Sequence, residues 1–345
     1  MEYLYHYGLF LAQAITIVIA IVFVIGSIAA MGHKESSDDP GHIEIRKLND
    51  QYDNQAESIK AVILSNDEQK AEKKQLKKKK KLDKKKTKGQ ADDPKRRVYV
   101  LDFDGDIKAS ATDNLRNSIS AILTVAGEQD EVLLRLESGG GMVHSYGLAA
   151  SQLQRITDRG IRLTIAVDKV AASGGYMMAC VANRIIAAPF AVIGSIGVLA
   201  QIPNFHRLLK DNKVDFELLT AGEHKRTLTM FGENTDEQRE KFMEELEDTH
   251  ALFKSFVSEH RPDVEIASVA TGEVWYGQRA LNKKLVDELK TSDSYIMEAV
   301  QQADVFQLDF VHKKSWQEKL GMAAEGTIER SFLKLWQQAT SKFKV

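Results

Sequence analysis

The chain has one cysteine, Cys180, among 345 residues. It can form no internal disulfide, so its stability must rest on a packed core. Cys180 lies in an apolar run and reads as a small buried hydrophobe. No C-x-x-C pair and no His/Cys cluster has metal-ligand spacing, so no metal site is expected. Two glycine-rich loops are present, but neither fits the phosphate-cradling patterns G-x-x-x-x-G-K-S/T or G-x-G-x-x-G. No cofactor is expected either.

Two further absences divide the chain. Residues 9–31, LFLAQAITIVIAIVFVIGSIAAM, carry no charge. About 20 such residues cross a bilayer core, so this run is expected to be a retained N-terminal transmembrane helix. A cleaved signal peptide would want a positive n-region, which is missing, and a shorter apolar run. Lys34, Arg46 and Lys47 follow the span and lean toward a cytoplasmic C-terminal side. Long domains translocate regardless of charge, so the side stays open.

Residues 33–94 contain no Trp or Phe and include KKQLKKKKKLDKKKTKGQADD. Residues 70–97 hold 15 basic against 4 acidic residues, which leaves 32 basic against 45 acidic elsewhere. The overall net charge of −2 therefore hides two oppositely charged parts. Lysines at this density repel one another and stay solvated, as in a partly disordered linker. They also suit anionic lipid headgroups, each adding about 1 kcal/mol near such a surface. With no aromatic side chains for base stacking, nucleic acid is not an expected partner. Apolar spacing allows a short helix within 43–64.

From Arg97 onward the pattern changes. VYVLDF, EVLLRLE, IRLTIAV and RIIAA read as strands. They alternate with helices near 112–126 and 144–157, and with one from AASGGY to about 182. Apolar strands alternating with helices predict βαβ units and a buried, mostly parallel sheet. VDFELL reads as a further strand and 235–260 as a long charged amphipathic helix. GEVWYGQRALNKKLVDEL reads as a turn, a helix and a closing strand. The expected organisation is an anchor over 1–32, a Lys-rich linker over 33–96, a domain over 97–310 and a tail over 311–345.

The loops Ser138-Gly139-Gly140-Gly141 and Ser173-Gly174-Gly175 each follow a predicted strand, and α/β sheets bind ligands at the carboxyl ends of strands. Two bare loops brought together can aim N–H groups at one oxygen, an oxyanion hole worth about 3–4 kcal/mol per donor in acyl transfer. A serine nucleophile needs a base. His144, His206 and His224 sit in no recognisable catalytic setting. The other choice is a lysine that desolvation keeps uncharged. Lys225, in LLTAGEHKRTLTMFGENT, is the candidate, although an exposed loop lysine is the plainer reading of these residues alone. VLDFDGDI offers a different chemistry, a D-x-D phosphatase loop with Asp102 and Asp104 as nucleophile and acid. Asp106 stands there where that loop normally carries Thr or Val, and no acidic pair for Mg²⁺ follows.

Taken in order, LESGGGMVHSYG, VAASGGYMMACVANRIIAAPFAVIGSIGV, TAGEHKRTLTMFGENTDEQRE and GEVWYGQRALNKKLVDEL resemble the signal peptide peptidase SppA/SohB family over nearly the whole chain. The resemblance implies a ClpP/crotonase-like α/β fold with repeated ββα units. It implies a membrane-bound serine endopeptidase of the bacterial inner (plasma) membrane acting on peptides or proteins. Carried over, Ser173 is the nucleophile, Lys225 the general base, and Gly140 and Gly174 the oxyanion-hole donors. The family pattern after the lysine often runs Asp, Gly, Ser, Pro, and here RTLTMFGENT stands instead, which bears on substrate range. The resemblance also implies a homo-oligomer in which the lysine of one copy reaches the serine of the next. A crotonase-type acyl-thioester enzyme and a non-catalytic membrane scaffold are the alternatives.

Overall fold

The computed structural model describes residues 41–65, 67–69, 95–222 and 225–311, with isolated positions before 41 and at 71 and 74. The expected transmembrane run at 9–31 and the Lys-rich run lie almost entirely outside the described residues, as does His224. Among the described residues no helix is long and apolar enough to cross a membrane. Residues Ile43–Phe310 form one compact unit, which therefore begins well before the expected domain start at 97.

The early start is due to β1 (His42–Lys47) and α1 (Leu48–Ile63). Leu48 is buried and Tyr52 packs beside it, while most of α1 is exposed. Asn49 fixes the junction. Its amide donates to Val300 O and Ala303 O at 3.0 and 2.9 Å, and its oxygen accepts from Val305 N at 2.8 Å. Three backbone groups that would otherwise be orphaned are thus satisfied by one side chain.

The body of the unit is β2 (Arg97–Gly105), α2 (Thr112–Val125), β3 (Glu131–Ser138), α3 (Val143–Thr157), β4 (Arg162–Val167), β5 (Val170–Ala172), α4 (Gly174–Ala179), β6 (Arg184–Ala187) and β7 (Val192–Gly194). Then come α5 (His206–Asp211), α6 (Asp236–His260), α7 (Ile266–Val269), β8 (Val274–Tyr276), α8 (Gly277–Asn282), β9 (Glu288–Leu289), α9 (Ser292–Gln302) and β10 (Asp304–Val311). The sheet runs β1-β10-β2-β3-β4-β6-β9, and β5, β7 and β8 branch from the end of β3. The pairings among β10, β2, β3, β4, β6 and β9 are parallel, as are those of β5 with β3 and β7, while β7 pairs with β8 antiparallel. Repeated strand–strand–helix units on a mostly parallel sheet are the ClpP/crotonase-like α/β class.

Period-two alternation decides which side chain faces where. Tyr99, Leu101 and Phe103 of β2, with Val132, Leu134 and Leu136 of β3, enter the larger core under α2, α3 and α4. Val98, Val100 and Leu133 face the smaller core on the other side, which holds Ile296 and Ala303. That second face is covered only along the first half of the strands. Beyond it Asp102 and Asp104 reach solvent.

The segment VDFELL is not a strand. Residues 214–219 have no regular secondary structure, are exposed and do not pair with the sheet. They belong to an arm, residues 199–235, held by its own contacts. Asn204 donates to Thr229 O and Gly232 O, each at 3.0 Å, and Phe231 packs against Phe205 and Phe216 with ring centroids 6.0 and 5.8 Å away. The arm still exposes Leu199 at 79% and Leu219 at 91%.

Candidate active site

The geometry around Ser173 explains its bare neighbours. β3 ends at Ser138, and β5 lies beside that end with Ser138 opposite Ala171. The chain then turns at Ser173 with φ 53° and ψ −120°, a region open mainly to glycine. Holding a non-glycine residue there costs about 1–3 kcal/mol and persists only where the surroundings over-determine it. They do so here. Ser173 N–H donates to Gly194 O at 2.8 Å, and Ser173 O accepts from Met177 N–H at 3.0 Å as α4 begins.

The glycines are required by contact. A Cβ on Gly140, whose φ is +89°, would stand 2.7 Å from both Gly174 N and Ser173 Cβ. A Cβ on Gly174 would meet the Tyr146 ring at 2.4 Å, and one on Gly175 would meet Ser138 O at 2.5 Å. The two loops therefore touch backbone to backbone. Ser173, Gly174 and Gly141 line one small apolar cavity with Val143, Met177 and Phe253.

Gly140 was expected to turn its N–H toward a substrate oxygen. Instead that N–H donates to Ser138 Oγ at 3.1 Å. Among the described residues the N–H groups of Gly141 and Gly174 have no acceptor, and both residues line the cavity. Gly141 was not among the donors expected from the sequence, and its place beside the cavity emerges only from the direction of the Gly140 hydrogen bond.

Lys225 stands apart. Its backbone N–H donates to Gly222 O at 3.2 Å, its side chain is exposed, and it does not line the cavity at Ser173. Within one chain the structure brings together Ser173, Gly174 and the Gly140 loop, but not Lys225.

The other candidates fall away on contacts. Asp102 accepts from Arg135 Nε and Nη2 at 2.5 and 2.7 Å and from Gln307 at 3.1 Å, so it is clamped rather than poised as a nucleophile. Among the described residues no His/Cys/Asp/Glu group could hold a metal ion. Cys180 is fully buried, donates to Met177 O at 3.2 Å, and its thiol is pushed up by burial, which leaves it inert.

Comparison with known proteins fits this picture. Residues 2–153 match the N-terminal region of peptidase family S49, and residues 155–306 match peptidase family S49 itself. A Haemophilus influenzae protein named probable protease SohB is 53% identical over 326 residues, covering 92% of each chain. A Buchnera aphidicola (subsp. Schlechtendalia chinensis) protein of the same name is 50% identical, covering 86% of this chain and 99% of that one. Among solved structures, the 1510-N membrane protease specific for a stomatin homolog from Pyrococcus horikoshii is 14% identical. It covers 67% of this chain and 99% of that one at a TM-score of 0.38, and the fold assignment rests on strand register instead. With both family regions present in order and half the residues shared along nine-tenths of a relative, the chain belongs to peptidase family S49, the SppA/SohB family of proteases.

Proposed function

We propose that this peptidase is a membrane-anchored serine endopeptidase that works through a Ser173/Lys225 dyad completed between copies of the chain. The observation that carries the reading is the strained, over-determined turn at Ser173 beside backbone N–H groups with no acceptor. An uncharged Lys225 amine accepts the Ser173 Oγ proton while Oγ attacks the peptide carbonyl carbon. The carbonyl oxygen gains the negative charge and is received by Gly174 N–H and by the Gly140 loop, through Gly141 N–H. The amine then gives its proton to the leaving nitrogen. Water, deprotonated by the same amine, releases the acyl group and restores the serine.

Lys225 lies on an exposed arm with apolar side chains facing solvent, and a neighbouring subunit that accepts this arm would bury the lysine and complete the site. Residues 9–31 anchor the chain in the bacterial inner membrane, and the Lys-rich run contacts anionic headgroups. The apolar cavity at Ser173 favours a small or apolar substrate side chain.

The test is fluorophosphonate labelling of the full chain in detergent, together with hydrolysis of an apolar fluorogenic peptide. Ser173→Ala and Lys225→Ala should each abolish both, and hydrolysis should fall as the medium is acidified. An unlabelled wild type, or full activity in either variant, would refute the reading.

A further inference from the structure

Below the two loops lies a pair of buried hydroxyls whose direction follows from the contact distances. Tyr146 is fully buried on α3 and Ser138, at the end of β3, is 2% exposed. Tyr146 has one proton, and it goes to Asp106 O at 2.7 Å. With that proton on Asp106 O, the 2.6 Å contact between Tyr146 Oη and Ser138 Oγ is donated by the serine, whose other acceptor, Gly105 O, lies farther off at 3.4 Å. Ser138 Oγ in turn accepts the Gly140 N–H at 3.1 Å. The order is Gly140 N–H to Ser138, Ser138 to Tyr146, and Tyr146 to Asp106 O. Each bond polarises the next, and the central hydroxyl pair is buried. Burial pushes the Tyr146 hydroxyl pKa up, against a smaller lowering by Ser138, so the tyrosine remains a neutral donor.

This relay touches both loops. At the hydroxyl end it holds the Gly140 N–H inward, which leaves the next amide, that of Gly141, for the cavity. At the ring end Tyr146 lies against Gly174, with no room for a Cβ between them. Gly105, at the end of β2, makes space for the hydroxyl pair, since a Cβ there would stand 2.5 Å from Ser138 Oγ and 2.6 Å from Tyr146 Oη. Neither Tyr146 nor Ser138 lines the cavity. Any effect on the reaction must pass through the backbone they hold.

We infer that Tyr146 and Ser138 are positioning residues that set the spacing of the two oxyanion-binding amides, one through a hydrogen-bonded relay and the other through ring contact. The inference rests on the serine peptidase reading above. Losing one oxyanion donor outright costs about 10²–10³ in kcat. A donor merely freed to wander should cost less, about 10- to 100-fold.

The experiment uses the full chain in detergent with Tyr146→Phe, which keeps the ring, and Ser138→Ala. Thermal unfolding, kcat and KM on a fluorogenic peptide, and affinity for a peptide aldehyde are measured. The aldehyde forms a tetrahedral adduct on Ser173 and needs the same two amides. In both variants kcat and aldehyde affinity should fall together, about 10- to 100-fold, with KM within about twofold. If Tyr146→Phe does not fold, Ser138→Ala carries the test. A kcat within about twofold of wild type in a folded variant overturns the inference, and so does a rise in KM alone. A wild type with neither activity nor aldehyde binding overturns the peptidase reading instead, so the two failures are distinguishable.

Discussion

The Ser173 region and the Lys225 arm are built on opposite plans. Around Ser173 every backbone turn is constrained by buried contacts, and the glycines sit where a single added carbon would collide. The arm at 199–235 has a small aromatic cluster of its own but lies outside both cores and exposes leucines at 199, 208 and 219. On the proposed roles, a chain that holds Ser173 so tightly and leaves Lys225 exposed carries half of the dyad. In the proposed dyad the base half would be made by association, because desolvation is what renders a lysine amine able to accept a proton.

The sharpest way to break this contrast is to separate the halves. Ser173→Ala keeps the lysine and Lys225→Ala keeps the serine, and each alone should lose more than about 10³-fold in rate. Mixed one to one through a dissociation and reassembly step, they should recover activity, because head-to-tail contacts pair an intact serine with a neighbour's lysine at about a quarter of the sites. No recovery would place both groups in one chain. Gly140→Ala comes next. It forces a Cβ to 2.7 Å from Gly174 N at a φ of +89°, so the loops must part. Labelling of Ser173 should drop by about 10² or more, while the arm is untouched.

How much of this was legible in the residues follows the same division. The parallel strands were readable because apolar runs at 98–101, 132–134 and 165–167 face a core on both sides. The turn at Ser173 was readable from Ser-Gly-Gly. VDFELL misled because its apolar residues imply burial, yet among the described residues no strand covers them. β1 was missed because its place in the sheet is set by β10, which Arg46 contacts through Asp309 across 263 positions. The Ser138–Tyr146 relay was hidden for a related reason. Strand alternation puts Ser138 on the core face, but the meeting of β3 with α3 exists only after folding.

Two smaller effects sharpen the comparison. Leu219→Asp on the arm should leave thermal unfolding within about 1 °C, since a 91% exposed side chain carries little folding energy. Its peptide hydrolysis should nonetheless become concentration-dependent, falling on dilution. Phe253→Leu in the cavity should do the reverse. Volume is removed from a buried position at about 1–1.5 kcal/mol in stability, and preference should shift about 10-fold toward larger apolar side chains. Equal concentration dependence in both variants would erase the distinction between arm and cavity.

The smallest catalytic effect is expected far from both, at Asp130. It is 4% exposed and accepts from Arg97 N, Nε and Nη2 at 3.0, 3.1 and 2.6 Å and from Gly127 N at 2.9 Å. Burial alone would raise its pKa, but Arg97 and these backbone N–H groups outweigh burial and hold the carboxyl below its ordinary value. A folded-state pKa below the unfolded one means stability that is complete above the usual carboxylate pKa of about 4 and is lost as the pH drops through the depressed value. Asp130→Asn should therefore destabilise the wild-type fold by about 1–3 kcal/mol at neutral pH and by progressively less below about pH 4. Urea unfolding at pH 7 and pH 3.5 reads this directly. A penalty that stays constant between them would show that Asp130 works by shape rather than by charge, while kcat at neutral pH should not move in either case.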